Sequence, residues 1–197
     1  MKTIAHKIEN ISQSRKALAS GVDFLEIDVA KEILFSKFTT QHHGIKGKLG
    51  IGESLEPILA AIPQDKLLLD IKHASSSLTF AKKFSDLLTR HSIKKARICG
   101  RDWEIISRIC QKTGCMPFYT LAKVNDFKKL KKKLPKLTQP EGFSVNHMLI
   151  DKNLMRNLSA SRQIWAWTVN DSKEADRLAK LKVDGIITDD WKLLTSS

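Results

Sequence analysis

Cysteine is scarce in this chain: Cys99, Cys110 and Cys115 are an odd number with no C-x-x-C spacing. That excludes a disulfide framework and a cysteine zinc site, and leaves the thiols as core fillers. Long apolar runs are missing too, and none approaches the roughly 18 residues of a membrane-crossing helix. Met1-Lys2-Thr3-Ile4-Ala5-His6 passes straight into strand-like sequence, with no apolar stretch ending in a small-residue cleavage site, so a cytoplasmic location is expected. No glycine-rich phosphate loop follows this first strand, which argues against an open dinucleotide-binding sheet. Acid is in deficit, with 21 Asp+Glu against 34 Lys+Arg and a net charge of +13. Such a balance predicts attraction to anions: phosphate-bearing substrates, acidic membrane surfaces or nucleic acid. Much of the excess lies between Lys123 and Lys136, which lacks the interleaved aromatics of a single-strand platform and reads as a solvated helix face ending at Pro135. Nucleic acid is therefore the least favoured of the three.

The chain does contain enough hydrophobic residues for one full core, 42% of 197, and residues 1–197 are expected to form a single domain. Short apolar strands alternate with amphipathic stretches from end to end, the pattern of a parallel α/β fold. Strands are expected at Thr3–His6, Asp23–Val29, Lys66–Lys72, Ala96–Cys99, Met116–Thr120, Gly142–Val145, Gln163–Val169 and Gly185–Thr188. Helices are expected near Ser12–Ser20, Ser54–Ala61, Ser76–Arg90, Trp103–Lys112, Asn125–Lys133, Lys152–Leu158 and Ser172–Leu181. In the third of these, Leu78, Ala81, Phe84, Leu87 and Leu88 repeat with helical spacing and mark its buried face. A further extended segment, Lys37–His42, leads into a glycine-rich loop ending at Gly52. Eight strands with intervening helices predict a compact (β/α)8 barrel of the TIM type, near the ~200-residue lower limit of that architecture.

Because acids are few, their placement stands out. Glu26 and Asp28 lie two apart in Phe24-Leu25-Glu26-Ile27-Asp28-Val29, as do Asp70 and Lys72 in Leu67-Leu68-Leu69-Asp70-Ile71-Lys72. Residues i and i+2 of a strand share a face, so each pair points the same way. An unpaired carboxylate in an apolar strand costs several kcal/mol or is forced to protonate, and a divalent cation is the economical partner. Carboxylate ligands without cysteine or H-E-x-x-H spacing suit Mg²⁺ or Ca²⁺ better than zinc. Barrel sites gather at the C-terminal strand ends. His6, Glu26, Asp28, Asp70, Lys72, Trp167 and Asn170 all fall there. His6 and either His42 or His43 supply groups that titrate near neutrality, and Lys7 and Lys72 supply positive charge for a phosphoryl group.

The ordered set Ala5-His6-Lys7, Phe24 to Val29, His42-His43-Gly44, Asp70-Ile71-Lys72, Trp167-Thr168-Val169-Asn170 and Val183 to Asp189 resembles the glycerophosphodiester phosphodiesterase family over nearly the whole chain. The resemblance implies hydrolysis of a glycerophosphodiester to glycerol phosphate and an alcohol, with a bound divalent cation, Mg²⁺ or Ca²⁺. Position by position, it assigns Glu26, Asp28 and Asp70 to the metal, His6 and His43 to catalysis, and Lys7, Lys72 and Trp167 to substrate or phosphate. One histidine would assist attack by an adjacent hydroxyl or water, and the other would protonate the leaving alkoxide. A lysophospholipid is a second substrate of the same class, and the basic surface offers a peripheral membrane contact. Three positions depart from the pattern: Lys7 stands for arginine, Ile8 for glycine and Asp70 for glutamate. The competing reading is a barrel that has lost catalysis and binds phosphorylated or anionic partners.

Overall fold

The computed structural model describes residues 1–31, 37–40, 52–72, 77–158 and 162–191. Strand β1 (Lys2–Ala5) and helix α1 (Ile11–Ala19) open the fold, followed by β2 (Phe24–Lys31). Asn10 caps α1 by accepting from the Gln13 amide at 2.9 Å, and Gly21, at φ +91°, turns the chain out of it. Two short strands, β3 (Phe38–Thr40) and β4 (Glu53–Ser54), precede α2 (Glu56–Ala61) and β5 (Leu67–Ile71). Next come α3 (Leu78–Arg90), β6 (Arg97–Gly100), α4 (Trp103–Thr113), β7 (Met116–Leu121) and α5 (Val124–Lys133). The chain then runs through β8 (Gly142–Asn146), α6 (Lys152–Leu158), β9 (Gln163–Trp167), α7 (Ser172–Lys180) and β10 (Gly185–Thr188).

Eight of the strands are parallel in the order β1-β10-β9-β8-β7-β6-β5-β2, and β1 also pairs with β2, so the sheet closes into a TIM-type barrel. The expected eight strands are these eight, displaced by a residue or two at their ends. The segment beginning at Lys37 is not a barrel strand. Its Phe38–Thr40 portion pairs antiparallel with the top of β2, Lys31 opposite Phe38, and β4 extends that flap. Because Glu53 and Ser54 are used in this pairing, the following helix starts at Glu56 rather than Ser54, with Pro57 in its first turn.

Side-chain alternation sorts the strands into two cores. Leu25, Ile27 and Val29 of β2, and Leu67, Leu69 and Ile71 of β5, point outward into a large cluster shared with the helices. The other parity points inward, and there Ile4, Phe24, Leu68, Cys99, Phe118, Trp165 and Ile187 fill the lower barrel. Trp165 lies between Phe24 and Phe118, with ring centroids 4.7 Å from each and the planes tilted by 43° and 49°. All three cysteines are buried and free, as their spacing suggests, with Cys99 inside the barrel and the other two in the outer cluster.

One expected core position is not in the core. Leu78 continues the apolar spacing of α3, but it is the first helical residue, projecting past the barrel end with 64% of its surface exposed. Phe80 is buried in its place, stacked on Phe84 at 5.6 Å.

The floor of the barrel leaves no room at Gly142. A methyl group there would meet the Phe118 ring at 2.5 Å and the Gln163 carbonyl oxygen at 2.6 Å. Replacing Gly142 by Ala should therefore cost roughly 1–3 kcal/mol by overpacking, read as a lower urea midpoint at unchanged slope. An unchanged midpoint would mean that this floor yields.

Candidate active site

Two residues above the hydrocarbon floor, the same inward-facing positions become charged. Phe24 is followed on its face by Glu26 and Asp28, and Leu68 by Asp70 and then Lys72. Strand register puts Asp28 directly beside Asp70, and Asp70 beside Cys99. Carboxylate oxygens of Glu26, Asp28 and Asp70 lie within 4.8 Å of one another, so the shorter Asp70 still reaches the cluster. Lys72 sits between two of them, its Nζ 2.5 Å from Asp28 Oδ1 and 2.5 Å from Asp70 Oδ2.

These charges set one another's ionisation. Burial pushes the Glu26 carboxyl well above the usual carboxylate range, and the neighbouring Asp28 pushes it further, with Lys72 only partly offsetting both. Burial disfavours the charged form of Lys72, but Asp70, Glu26 and Asp28 outweigh it and hold the ammonium protonated. Three carboxylates thus face one ammonium. All-oxygen donors this close, two of them buried and short of positive charge, fit a hard divalent cation.

His6 stands at the rim of this cluster, at the end of β1. Its Nδ1 donates to Asp189 Oδ1 at 2.9 Å, and its Nε2 lies 3.8 Å from Glu26 Oε2. Burial draws the His6 pKa down, against the opposing pull of Asp189, and favours the neutral ring. Burial raises the Asp189 carboxyl, but hydrogen bonds from Asn170 and His6 outweigh it and hold the group ionised. An ionised carboxylate only accepts, so the proton of neutral His6 is fixed on Nδ1 and Nε2 carries the lone pair. Asn170 completes the arrangement: its Nδ2 donates to Asp189 Oδ2 at 2.8 Å, and its Oδ1 accepts from the Asp189 amide at 2.9 Å and the Thr188 hydroxyl at 3.0 Å.

Lys7 adopts a left-handed backbone, φ +59°, and this turn aims two successive amides at Glu26. The Lys7 N–H reaches Glu26 Oε2 at 2.9 Å and the Ile8 N–H reaches the Glu26 carbonyl oxygen at 3.0 Å. The Lys7 ammonium lies 3.4 Å from Asp189 Oδ1, at the edge of the site. Ile8, where the family pattern has glycine, is buried with 3% exposure and packs in the outer core. Trp167 packs on the barrel floor, and its indole N–H is buried without a hydrogen-bond partner among the described residues.

The structure therefore brings together His6, Glu26, Asp28, Asp70, Lys72 and Trp167 at one barrel mouth, with Lys7 beside them. His42 and His43 lie outside the described residues, as does most of the glycine-rich loop. Asp189 is the partner that the reading of single residues did not assign a role. It was legible only as the last residue of Val183 to Asp189, 183 positions from the histidine it orients.

Comparison with known proteins places the chain in a family and its barrel among solved structures. The sequence model described as the glycerophosphoryl diester phosphodiesterase family matches residues 56–193, a span that includes Asp70, Lys72, Trp167, Asn170 and Asp189. No curated protein matches the sequence. Among solved structures, the chain is similar to a glycerophosphodiester phosphodiesterase from Thermotoga maritima, at a TM-score of 0.77 and 17% identity over 98% of this chain and 96% of that one. It is also similar to an Oleispira antarctica phosphodiesterase solved with the product sn-glycerol-3-phosphate, at a TM-score of 0.79 and 14% identity over 100% and 96%. A third, from Parabacteroides distasonis, gives 0.73 and 14% over 98% and 96%. Identities this low speak for the barrel alone, but the family match covers well over half of the sequence, and the chain belongs to the glycerophosphoryl diester phosphodiesterase family.

Proposed function

We propose that the chain hydrolyses a glycerophosphodiester to glycerol phosphate and an alcohol, with a divalent cation, Mg²⁺ or Ca²⁺, held by Glu26, Asp28 and Asp70. The observation that carries this reading is the convergence of those three carboxylates on His6 and its Asp189 partner at one barrel mouth. The product bound to the Oleispira antarctica structure supports a small glycerophosphodiester as the substrate. When bound, the cation would neutralise charge on the phosphoryl oxygens.

The protein's own groups supply the rest. Lys72, kept protonated among the acids, presents an ammonium to the phosphoryl group as negative charge accumulates on it. His6 Nε2, fixed in orientation by Asp189, takes the proton from the attacking hydroxyl or water. His43 is proposed to return a proton to the leaving alkoxide. The buried Trp167 N–H is a donor awaiting an acceptor, which a diester oxygen or hydroxyl of the substrate can provide. Retention of this whole set favours catalysis over the alternative of a binding-only barrel. A cytoplasmic setting, one domain over residues 1–197 and a role in lipid metabolism belong to the same proposal, and among the described residues no helix is long and apolar enough to cross a membrane.

Purified protein should release glycerol phosphate from glycerophosphocholine or glycerophosphoethanolamine with Mg²⁺ or Ca²⁺, and EDTA should stop the release reversibly. Glu26→Gln keeps an oxygen acceptor for the Lys7 amide but removes a ligand charge. It should weaken activation by metal by at least the roughly 10–100-fold that even an outer-shell loss costs, with the melting temperature little changed. No release from any diester with either ion would refute the proposal.

Replacement of His6 by Gln should lower kcat by about 10²–10⁴-fold. Asp189→Asn should lower it by less. Asp189 acts through His6, so its loss should leave almost no further effect in the double variant, and additive losses would separate the two residues.

A further inference from the structure

Among the described residues, the large hydrophobic side chains left exposed are Met1, Leu78, Val124 and Met148, at 56, 64, 77 and 80%. Met1 begins the chain at the N-terminal end of the barrel. The other three stand at the opposite end, on the rim of the mouth that holds the acids. Leu78 is the first residue of the helix after β5, Val124 the first of the helix after β7, and Met148 the middle of the turn after β8. Strands β5, β6, β7 and β8 are consecutive neighbours in the barrel, so these tips belong to one continuous sector of rim. A single exposed apolar residue needs no explanation, but three on one side of one barrel end do.

None of the tips is exposed for want of anchoring. Ser77 caps the helix of Leu78 by accepting from the Phe80 amide at 3.0 Å. Asp126 accepts from the Ala122 and Lys123 amides, both at 2.9 Å, and fixes the start of α5 beneath Val124. The turn that carries Met148 is tied to α7, where Glu174 binds the His147 ring at 2.7 Å and Arg177 donates to the His147 carbonyl oxygen at 3.1 Å.

With the helix behind it included, charge on the same sector is net positive. Arg101, Lys123 and Lys152 are exposed on the loops after β6, β7 and β8. The acids beside them are turned to backbone amides: Asp102 accepts from Ile105, Asp126 from Ala122 and Lys123, and Asp151 from Leu154. Behind the rim, α5 adds the exposed Lys128, Lys129 and Lys132. Apolar tips interspersed with cations match an anionic bilayer, where the tips enter the headgroup boundary and the cations meet acidic lipid.

We propose that the β5–β8 sector of the rim is a docking surface for anionic membranes, which turns the barrel mouth toward the bilayer. Resting on the hydrolysis proposed above, it also assigns a substrate class: a glycerophosphodiester still bearing an acyl chain, such as a lysophospholipid, taken from the membrane rather than from bulk water.

The test compares sedimentation of wild-type protein with vesicles of phosphatidylcholine alone and of phosphatidylcholine with phosphatidylglycerol, at low and high salt. Binding is expected on the anionic vesicles and should fall with salt. The triple variant Leu78→Ser, Val124→Ser, Met148→Ser should partition about tenfold less well, with an unchanged melting temperature and unchanged turnover of soluble glycerophosphocholine, and should lose turnover of lysophosphatidylcholine presented in vesicles. Equal sedimentation of the wild type and the triple variant overturns the docking surface. So does retention of single-stranded RNA, rather than vesicles, that is lost on Lys123→Glu. Turnover of glycerophosphocholine without vesicle binding removes this inference and leaves the hydrolysis standing. Rim-dependent vesicle binding without any turnover removes the hydrolysis and leaves the docking.

Discussion

Repulsion between carboxylates inside a closed barrel is the constraint around which the molecule is arranged. Alternation forces every second residue of a strand inward, so a strand that contributes Phe24 to the floor has no choice about where Glu26 and Asp28 go. Register then sets Asp70 beside Asp28. The result is a vertical gradient: hydrocarbon below, negative charge above, with the Lys72 ammonium and the Lys7 amide as the compensation built into the chain. A one-residue slip of β2 would exchange Glu26 and Asp28 for Leu25, Ile27 and Val29, removing the site and exposing the outer core at once.

Closure of the barrel supplies the second half of the site. His6 leaves β1, and Asp189 follows β10, which pairs with β1 through Lys2–Ala5 against Gly185–Thr188. The first and last strands thus meet at a seam, and the histidine and its carboxylate straddle it. Asn170, from the loop after the neighbouring β9, holds Asp189 by side chain and backbone together. Ile4 and Ile187 pair across the same seam, so a disturbance there reaches the imidazole and the hydrocarbon floor together.

What could be read from the sequence followed from periodicity. Charges two apart in apolar strands gave away Glu26, Asp28, Asp70 and Lys72, because an inward face that switches from Phe or Leu to acid has few structural uses. The eight parallel strands were legible for the same reason. Asp189 was not, since nothing local distinguishes a carboxylate that orients a histidine from one that ends a strand; only closure brings the two together. Of the β3–β4 flap, the first strand was legible as the extended segment from Lys37, but β4 was hidden because Glu53 and Ser54 carry no alternation to read. Leu78 was misplaced because helical spacing says which face a residue is on, not whether the core still extends that far along the axis.

Lys72 gives the acid cluster an internal counter-ion. Zinc fingers and similar small domains must find their metal before they can fold, because their ligands form no site until the metal draws them together. Here an ammonium two residues from Asp70, on the same strand face, arrives with the strand itself. Completion of the barrel therefore does not wait on a cation, and any ion that the three carboxylates take up can arrive after the chain has folded.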